Sequence, residues 1–298
     1  MTATFGAEVR HCDLDPKSGG GNGLWLPIDC QGTPAATLGS LVSQNATGPL
    51  RLGFGAWRDL LLGLQFYNGR DELITAGGRT VKNVAGYDLT KFMVGQGNTL
   101  GRIVTLTTRV YRKPELALLA EFSPDIHFVP RLLTSSSRPQ WLILSPTALY
   151  CGYLGDQRAI DYHQSQLPSL NARRMVRQTF ADDAQWRCEH WSIAGHGELS
   201  VRASIPPMRI QEFAAKAQLV DWVADAAFGI VLASVRRQSI ALIGRAALEF
   251  GGRCWFRDRS AESRLIHFTA TESERAILAR LKLEFDPALQ MAEIPAAN

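Results

Sequence analysis

Leu199, Val201, Ala203 and Ile205 alternate with Ser200, Arg202 and Ser204, the two-residue period of a strand with one buried face. Residues 141–145 and 148–154 read as a second pair of strands around Pro146. Between and after them the pattern predicts helices near 156–167, 181–192, 207–222 and 236–250, with strands at 228–235 and 252–258. Alternation of this kind predicts an α+β layer, with helices on one face of an antiparallel sheet. Nearer the start, Thr33-Pro34 predicts a helix opening, with Thr as N-cap and Pro in the first turn. Ala35, Leu38 and Val42 then share a face, and Gly48-Pro49 ends the helix. An apolar run at 59–67, Asn68-Gly69 and a second run at 72–75 predict a hairpin. Residues 102–112 predict a strand that Lys113-Pro114 closes. Finally Thr271-x-x-Glu274 is a capping box opening a helix with Ile277, Leu278, Leu281 and Phe285 on its apolar face, stopped at Asp286-Pro287. No internal repeat is visible in the sequence.

The texture of the chain divides it at four places. Residues 1–23 end in a glycine run without apolar periodicity and predict a flexible leader. Residues 24–114 are glycine-rich, 115–265 carry the α+β pattern, and 266–298 hold the last helix. Hydrophobic residues make up 46% of the 298 and charged residues 20%, a globular balance, and the net charge of +4 is spread rather than gathered on one element. A nucleic-acid surface is therefore not expected. The best apolar stretch, 218–235, contains Asp221 and Asp225, and the start lacks an apolar signal core, so no membrane span and no secretory signal are read. Five cysteines, an odd number with none paired as C-x-x-C, predict reduced thiols in a cytoplasmic protein and no metal cluster. Cys188, His190 and His196 fit no common zinc spacing, and no catalytic base–nucleophile pair can be named. Arg173-Arg174 reads as a solvated loop pair.

Candidate chemistry concentrates at 77–101. Gly95-x-Gly97-x-x-x-Gly101 looks like a dinucleotide-binding phosphate loop, but such a loop should open a helix, and a Thr/Val/Ile-rich strand follows instead. Lys82, Asn83, Tyr87 and Asp88 put a cation, an amide, a phenol and a carboxylate beside glycines that let backbone lie flat on a ligand. On the residues alone, a ligand loop and a plain turn with Lys82 and Asp88 solvated both stand.

The string from Gly78 through Lys82, Asn83, Gly86, Tyr87 and Asp88, followed by Met93, Gly95, Gly97, Thr99, Leu100 and Gly101, resembles the signature of the FAD-binding subunit of glycolate oxidase. That family belongs to the vanillyl-alcohol oxidase and p-cresol methylhydroxylase (PCMH) flavoproteins. Leu26-Pro27, Thr37-Leu38-Gly39-Ser40, Asn45-Ala46-Thr47-Gly48-Pro49 and 57–63 resemble its other elements, and 199–205, Gly251-Gly252 and 285–287 its cap domain and last helix. The resemblance implies an α+β fold: a truncated PCMH-type FAD-binding domain (24–114), a ferredoxin-like cap (115–265), and a C-terminal helix packing back on the first domain. It implies FAD as cofactor, with Pro27, Thr37, Leu38, Gly39, Ser40, Asn45, Gly48, Lys82, Asn83, Gly86, Tyr87, Asp88, Gly101 and Ile103 at the binding site. It further implies two partners, a larger flavin-bearing catalytic subunit and an iron–sulfur subunit, and a cytoplasmic location with peripheral membrane docking through them. The chain departs from the family in three ways. Residues 1–23 are too short for the family's first α/β subdomain, Ser40 replaces a glycine, and Ala288-Leu289-Gln290 replaces asparagine-proline-glycine. The expectation is an FAD-binding subunit of a 2-hydroxy-acid oxidoreductase complex with a weakened cofactor site; the alternative is a cofactor-free assembly subunit of the same complex.

Overall fold

The computed structural model describes residues 1–14, 23–29, 36–78, 88–192, 197–259 and 265–294. The first half runs β1 (Thr2–Gly6), β2 (Leu24–Trp25), α1 (Leu38–Ser43), α2 (Arg51–Phe54), α3 (Trp57–Leu60), β3 (Leu61–Tyr67), β4 (Leu73–Gly77), α4 (Leu89–Phe92), β5 (Arg102–Arg109) and β6 (Tyr111–Arg112). The chain divides into two compact units. Among the described residues, the first holds those within 1–47, 55–113 and 270–294; the second holds those within 48–54 and 114–269.

In the first unit β1, β5, β3 and β4 form an antiparallel sheet in that order, and β2 pairs with β6. The β3–β4 hairpin pairs Tyr67 with Leu73. Its loop closes because Asn68 Oδ1 accepts from the amides of Arg70 and Glu72, the self-bonding that suits Asn to turns. Leu64, Phe66 and Leu106 bury one sheet face with Leu38, Val42, Met93 and Trp57, whose indole N–H donates to Ala46 O at 2.9 Å. The other face is polar, with Thr4 on Thr107 and Gln65 between Thr105 and Thr75.

The predicted leader is corrected here. Residues 2–6 pair with β5 from Thr2–Arg109 to Gly6–Thr105, so the start of the chain is a sheet strand, and residues 15–22 lie outside the described region. The segment 48–54 belongs with the second unit, where Leu52 packs on its core.

The second unit runs β7 (Leu116–Phe122), α5 (Val129–Thr134), β8 (Trp141–Leu144), β9 (Leu149–Gly155), α6 (Gln157–Gln166), β10 (Arg174–Thr179), α7 (Phe180–His190), β11 (Leu199–Ser204), α8 (Ile210–Lys216), β12 (Trp222–Asp225), β13 (Ile230–Val235), α9 (Ile240–Glu249), β14 (Arg253–Asp258) and β15 (Leu265–Phe268). Nine strands form one antiparallel sheet in the order β10-β7-β9-β8-β12-β13-β11-β14-β15. The pattern is a repeat that the sequence hides. β7-α5-β8-β9-α6-β10 and β11-α8-β12-β13-α9-β14 are both βαββαβ units with strands ordered 4-1-3-2, joined where β8 pairs with β12. Leu118, Leu142, Cys151, Val201, Ala203, Val231 and Phe256 point to one core with Ile160, Phe213 and Ile243 from the helices. Helix α7 packs against the opposite side of the first repeat, where Trp186 stacks on Trp141 at 5.5 Å.

Three further expectations are corrected. The helix read over 207–222 stops at Lys216 because Gln218 turns left-handed (φ 53°) and the amide of Leu219 returns to Ala214 O, so β12 follows. Arg174 lies in edge strand β10, opposite Glu121. The second unit was expected to end at residue 265, but β15 carries its sheet on to Phe268.

Helix α10 (Glu272–Phe285) opens with the expected capping box, Thr271 and Glu274 exchanging bonds. Its buried stripe differs from the reading. Ile277 is 58% exposed, Leu281 and Phe285 pack on the first unit's core, and Lys282 is buried between them.

Candidate functional site

The expected cofactor positions of the first unit gather around α1. Thr37 is its N-cap: Oγ1 accepts from Ser40 N, while Ser40 Oγ donates to Thr37 O at 2.8 Å. The next amides are also committed, Leu38 N to Val9 O and Gly39 N to Ala7 O, both at 2.9 Å. Glycine is required at 39 by packing, since a Cβ there would stand 2.8 Å from Ala7 Cβ. Pro27 lies buried in the segment 26–28, which His11 holds through a 2.7 Å bond from its Nε2 to Ile28 O.

The far end of α1 meets the glycine loop. Gly95 N donates to Val42 O and Gly97 N to Ser43 O, so the loop caps helix carbonyls, and both glycines need their positive φ, 89° and 66°. Gln96, 9% exposed, clamps the loop: Nε2 donates to Gly101 O and Oε1 accepts from Leu100 N, each at 2.9 Å. Ser43 donates to Asn98 Oδ1 at 2.8 Å. Gly101 lies against β3, where a Cβ would meet Phe66 at 2.7 Å, and Ile103 is buried opposite Phe66. Gln96, Ser43, Ala7 and Val9 organise this region and were missed in the sequence; the polar residue between Gly95 and Gly97 was the available signal.

Asn45 carries an unmatched group. It holds a left-handed φ of 49°, and its Oδ1 is buried with no hydrogen-bond partner. Its Cβ stands where a Cβ on Gly95 would come within 3.3 Å. Asp88 is a helix cap: it accepts from Lys91 N at 3.1 Å and pairs with the Lys91 ammonium at 3.2 Å, with half of its side chain exposed. Desolvation pushes its carboxyl up, yet the Lys91 amide and ammonium outweigh it and hold the group below its ordinary value. Gly48 lies in the second unit. Lys82, Asn83, Gly86 and Tyr87, like Thr33 and Pro34, lie outside the described residues.

These positions test the implied flavin. The amides of Leu38, Gly39 and Ser40 are all bonded within the protein, so they do not fit a pyrophosphate. Asn45 Oδ1, a buried acceptor lacking a donor, fits a flavin N–H or a ribityl hydroxyl.

No family model matches the chain. It is 36% identical over 115 residues to glycolate oxidase subunit GlcD of Bacillus subtilis, covering 39% of this chain and 24% of that one. It is 37% identical over 83 residues to glycolate oxidase subunit GlcE of Escherichia coli, covering 28% of this chain and 24% of that one. D-2-hydroxyglutarate dehydrogenase of Stutzerimonas stutzeri matches at 30% over 37% of this chain and 24% of its own length. The chain thus spans about a quarter of the length of these relatives. An alkyldihydroxyacetonephosphate synthase structure superposes on 97% of this chain and 63% of its own at a TM-score of 0.65, with 13% identity. The fold is α+β and is shared with that synthase structure over the superposed region. Over the matched stretches the chain is a homologue of glycolate oxidase subunits, of a D-2-hydroxyglutarate dehydrogenase and of proteins described as FAD-linked oxidoreductases. No described helix is long and apolar enough to cross a membrane.

Proposed function

We propose that the chain is an FAD-binding subunit of a glycolate oxidase-type complex, acting on glycolate or a similar 2-hydroxy acid. The observation that carries this reading is the 36–37% identity to two different glycolate oxidase subunits. When bound, the flavin would supply the two-electron chemistry. This chain's part is to bind and orient: Asn45 Oδ1 accepts one donor of the cofactor, and Gln96, by fixing Gly101 and Leu100, holds the glycine loop rigid beside it. In this reading the amides of α1 hold the protein together and the pyrophosphate is carried by groups other than Leu38–Ser40. A larger flavin-bearing subunit would hold the hydroxy acid, an iron–sulfur subunit would take the electrons, and membrane docking would be peripheral through those partners.

A second reading has its own support. The same satisfied amides suit a subunit that assembles the complex without a cofactor. The two readings separate in a reconstitution with the partner subunits, assayed by glycolate-dependent dye reduction and by the flavin content of each subunit. The first reading expects flavin in this chain. Full activity with a flavin-free chain would replace it by the second.

A further inference from the structure

Where α7 packs on the first βαββαβ repeat, it encloses polar groups that the fold leaves unused. Leu118, Ala120 and Phe122 of β7 point into the core, so Leu119 and Glu121 point to the opposite sheet face. The register puts Arg174 of β10 and Tyr150 of β9 directly beside Glu121. Helix α7 adds Trp186 and His190, and together these residues line a cavity of about 130 Å³. Gly152 of β9, beside Leu119, leaves its place to the Trp141 indole, which closes the inner side.

Stacked rings hold the polar atoms of this cavity in place. Trp186 stacks on Trp141 at 5.5 Å and on His190 at 3.8 Å, and Tyr150 meets Trp186 and His190 edge-on at 4.9 and 6.1 Å. His190 Nδ1 lies 2.8 Å from Trp186 O. A carbonyl only accepts, so Nδ1 carries the proton and the neutral ring keeps its lone pair at Nε2. Among the described residues, Nε2, the Glu121 carboxylate and the Tyr150 hydroxyl have no hydrogen-bond partner, although all three side chains are half-buried. Arg174 is exposed and forms no ion pair with Glu121. Burial raises the Tyr150 pKa, the charge of Glu121 raises it further, and Arg174 counters by less than Glu121 adds. At the phenol the carboxylate therefore outweighs the guanidinium. A half-buried carboxylate without a cation costs stability that an occupant of opposite charge recovers.

We propose that this cavity binds a small primary ammonium group, with Glu121 as its counter-ion and His190 Nε2 and Tyr150 Oη accepting its remaining N–H bonds. A primary ammonium has three donors, one for each of the three unused acceptors. At about 30 Å³ for each water-sized group, the volume holds roughly four heavy atoms. That limits the occupant to a short free amine or to the end of a lysine side chain. Trp186 lines the cavity, so an occupant changes the surroundings of its indole. The site needs no flavin, and it stands or falls independently of the function proposed above.

The test is titration of the full chain with methylammonium chloride and, separately, with Nα-acetyl-lysine N-methylamide, each against sodium chloride of matched ionic strength. Binding is followed by calorimetry, melting temperature and tryptophan fluorescence, with Trp186→Phe assigning the fluorescence change. The site predicts saturable binding, and the tighter of the two probes tells a free amine from a lysine end. Glu121→Gln raises the Kd about tenfold or more, the usual loss of a hydrogen bond to a charged group. His190→Phe keeps the stacked ring, removes the acceptor and raises the Kd less. Arg174→Gln lowers the Kd, because it removes a like charge. Tetramethylammonium, which has no N–H to donate, binds more weakly than methylammonium. If Glu121→Gln does not fold, His190→Phe supplies the same reading. An effect no greater than that of sodium chloride overturns the proposal, as does an unchanged Kd in both Glu121→Gln and His190→Phe. Weaker binding in Arg174→Gln overturns it too, since that would make the arginine a ligand.

Discussion

Lys282 and Asp286, one helical turn apart at the end of α10, form a buried ion pair in the first unit. The ammonium also donates to Thr99 O, Met291 O and Ala292 O, and the carboxylate accepts from the amides of Gln290 and Met291. One pair therefore ties the glycine loop, the helix end and the chain beyond it. Lys282→Met leaves the carboxylate buried without its cation, at a cost of roughly 3–5 kcal/mol. Urea unfolding measures it, and an unchanged midpoint would show the pair to be idle.

The same carboxyl sets an acid limit. Burial pushes Asp286 up, but Lys282 and the amides of Met291 and Gln290 together hold it below its ordinary 3.8. Its stabilisation is present above the unfolded value and is lost as pH falls through the lower folded value. Unfolding midpoints measured from pH 6 downwards should fall in that range, and should fall less in Asp286→Asn.

His163 acts at milder pH. Burial lowers its pKa from the ordinary 6.5, and Ser137 Oγ bonds its Nδ1 at 2.8 Å. Its neutral form favours the folded state, so this contribution is intact above about pH 6.5 and declines as pH falls through the lowered value. In His163→Gln the stability profile across this interval should be flatter than in the parent; identical slopes would contradict the assignment.

Gly39 and Ala7 test what the α1 glycine is for. Gly39→Ala brings a Cβ to 2.8 Å from Ala7 Cβ and should destabilise the chain by about 1–3 kcal/mol whether or not flavin is present. Ala7→Gly in the same chain should restore part of the loss. A loss seen only with FAD would instead place Gly39 at the cofactor.

Asn45→Gly removes the buried Oδ1 while suiting the left-handed backbone. Stability should change by no more than about 0.5 kcal/mol. Flavin affinity should fall about tenfold, the usual loss of a buried hydrogen bond. Equal affinities would remove Asn45 from the site.

Much of this fold was legible because local chemistry agreed with global placement. Asn68 closes its hairpin, Thr271 and Glu274 cap α10, and the alternation at 199–205 places a core strand. The misreadings share another cause. β1 is defined by its pairing with β5 a hundred residues later, which no local signal reports. α8 ends on a left-handed glutamine where the usual mark is glycine. The repeated βαββαβ unit shows in the topology and has no counterpart in the sequence pattern. At the candidate site the glycines were visible, but the partners of α1's amides were not, because Ala7 and Val9 offer backbone carbonyls that carry no residue signature.

If the first unit forms part of an FAD site, titration of the 298-residue chain with FAD reports it. Flavin fluorescence and melting temperature would be followed together. Saturable, weak binding with a matching rise in melting temperature is expected. No fluorescence change and no thermal shift across the titration would contradict it and favour the cofactor-free assembly subunit.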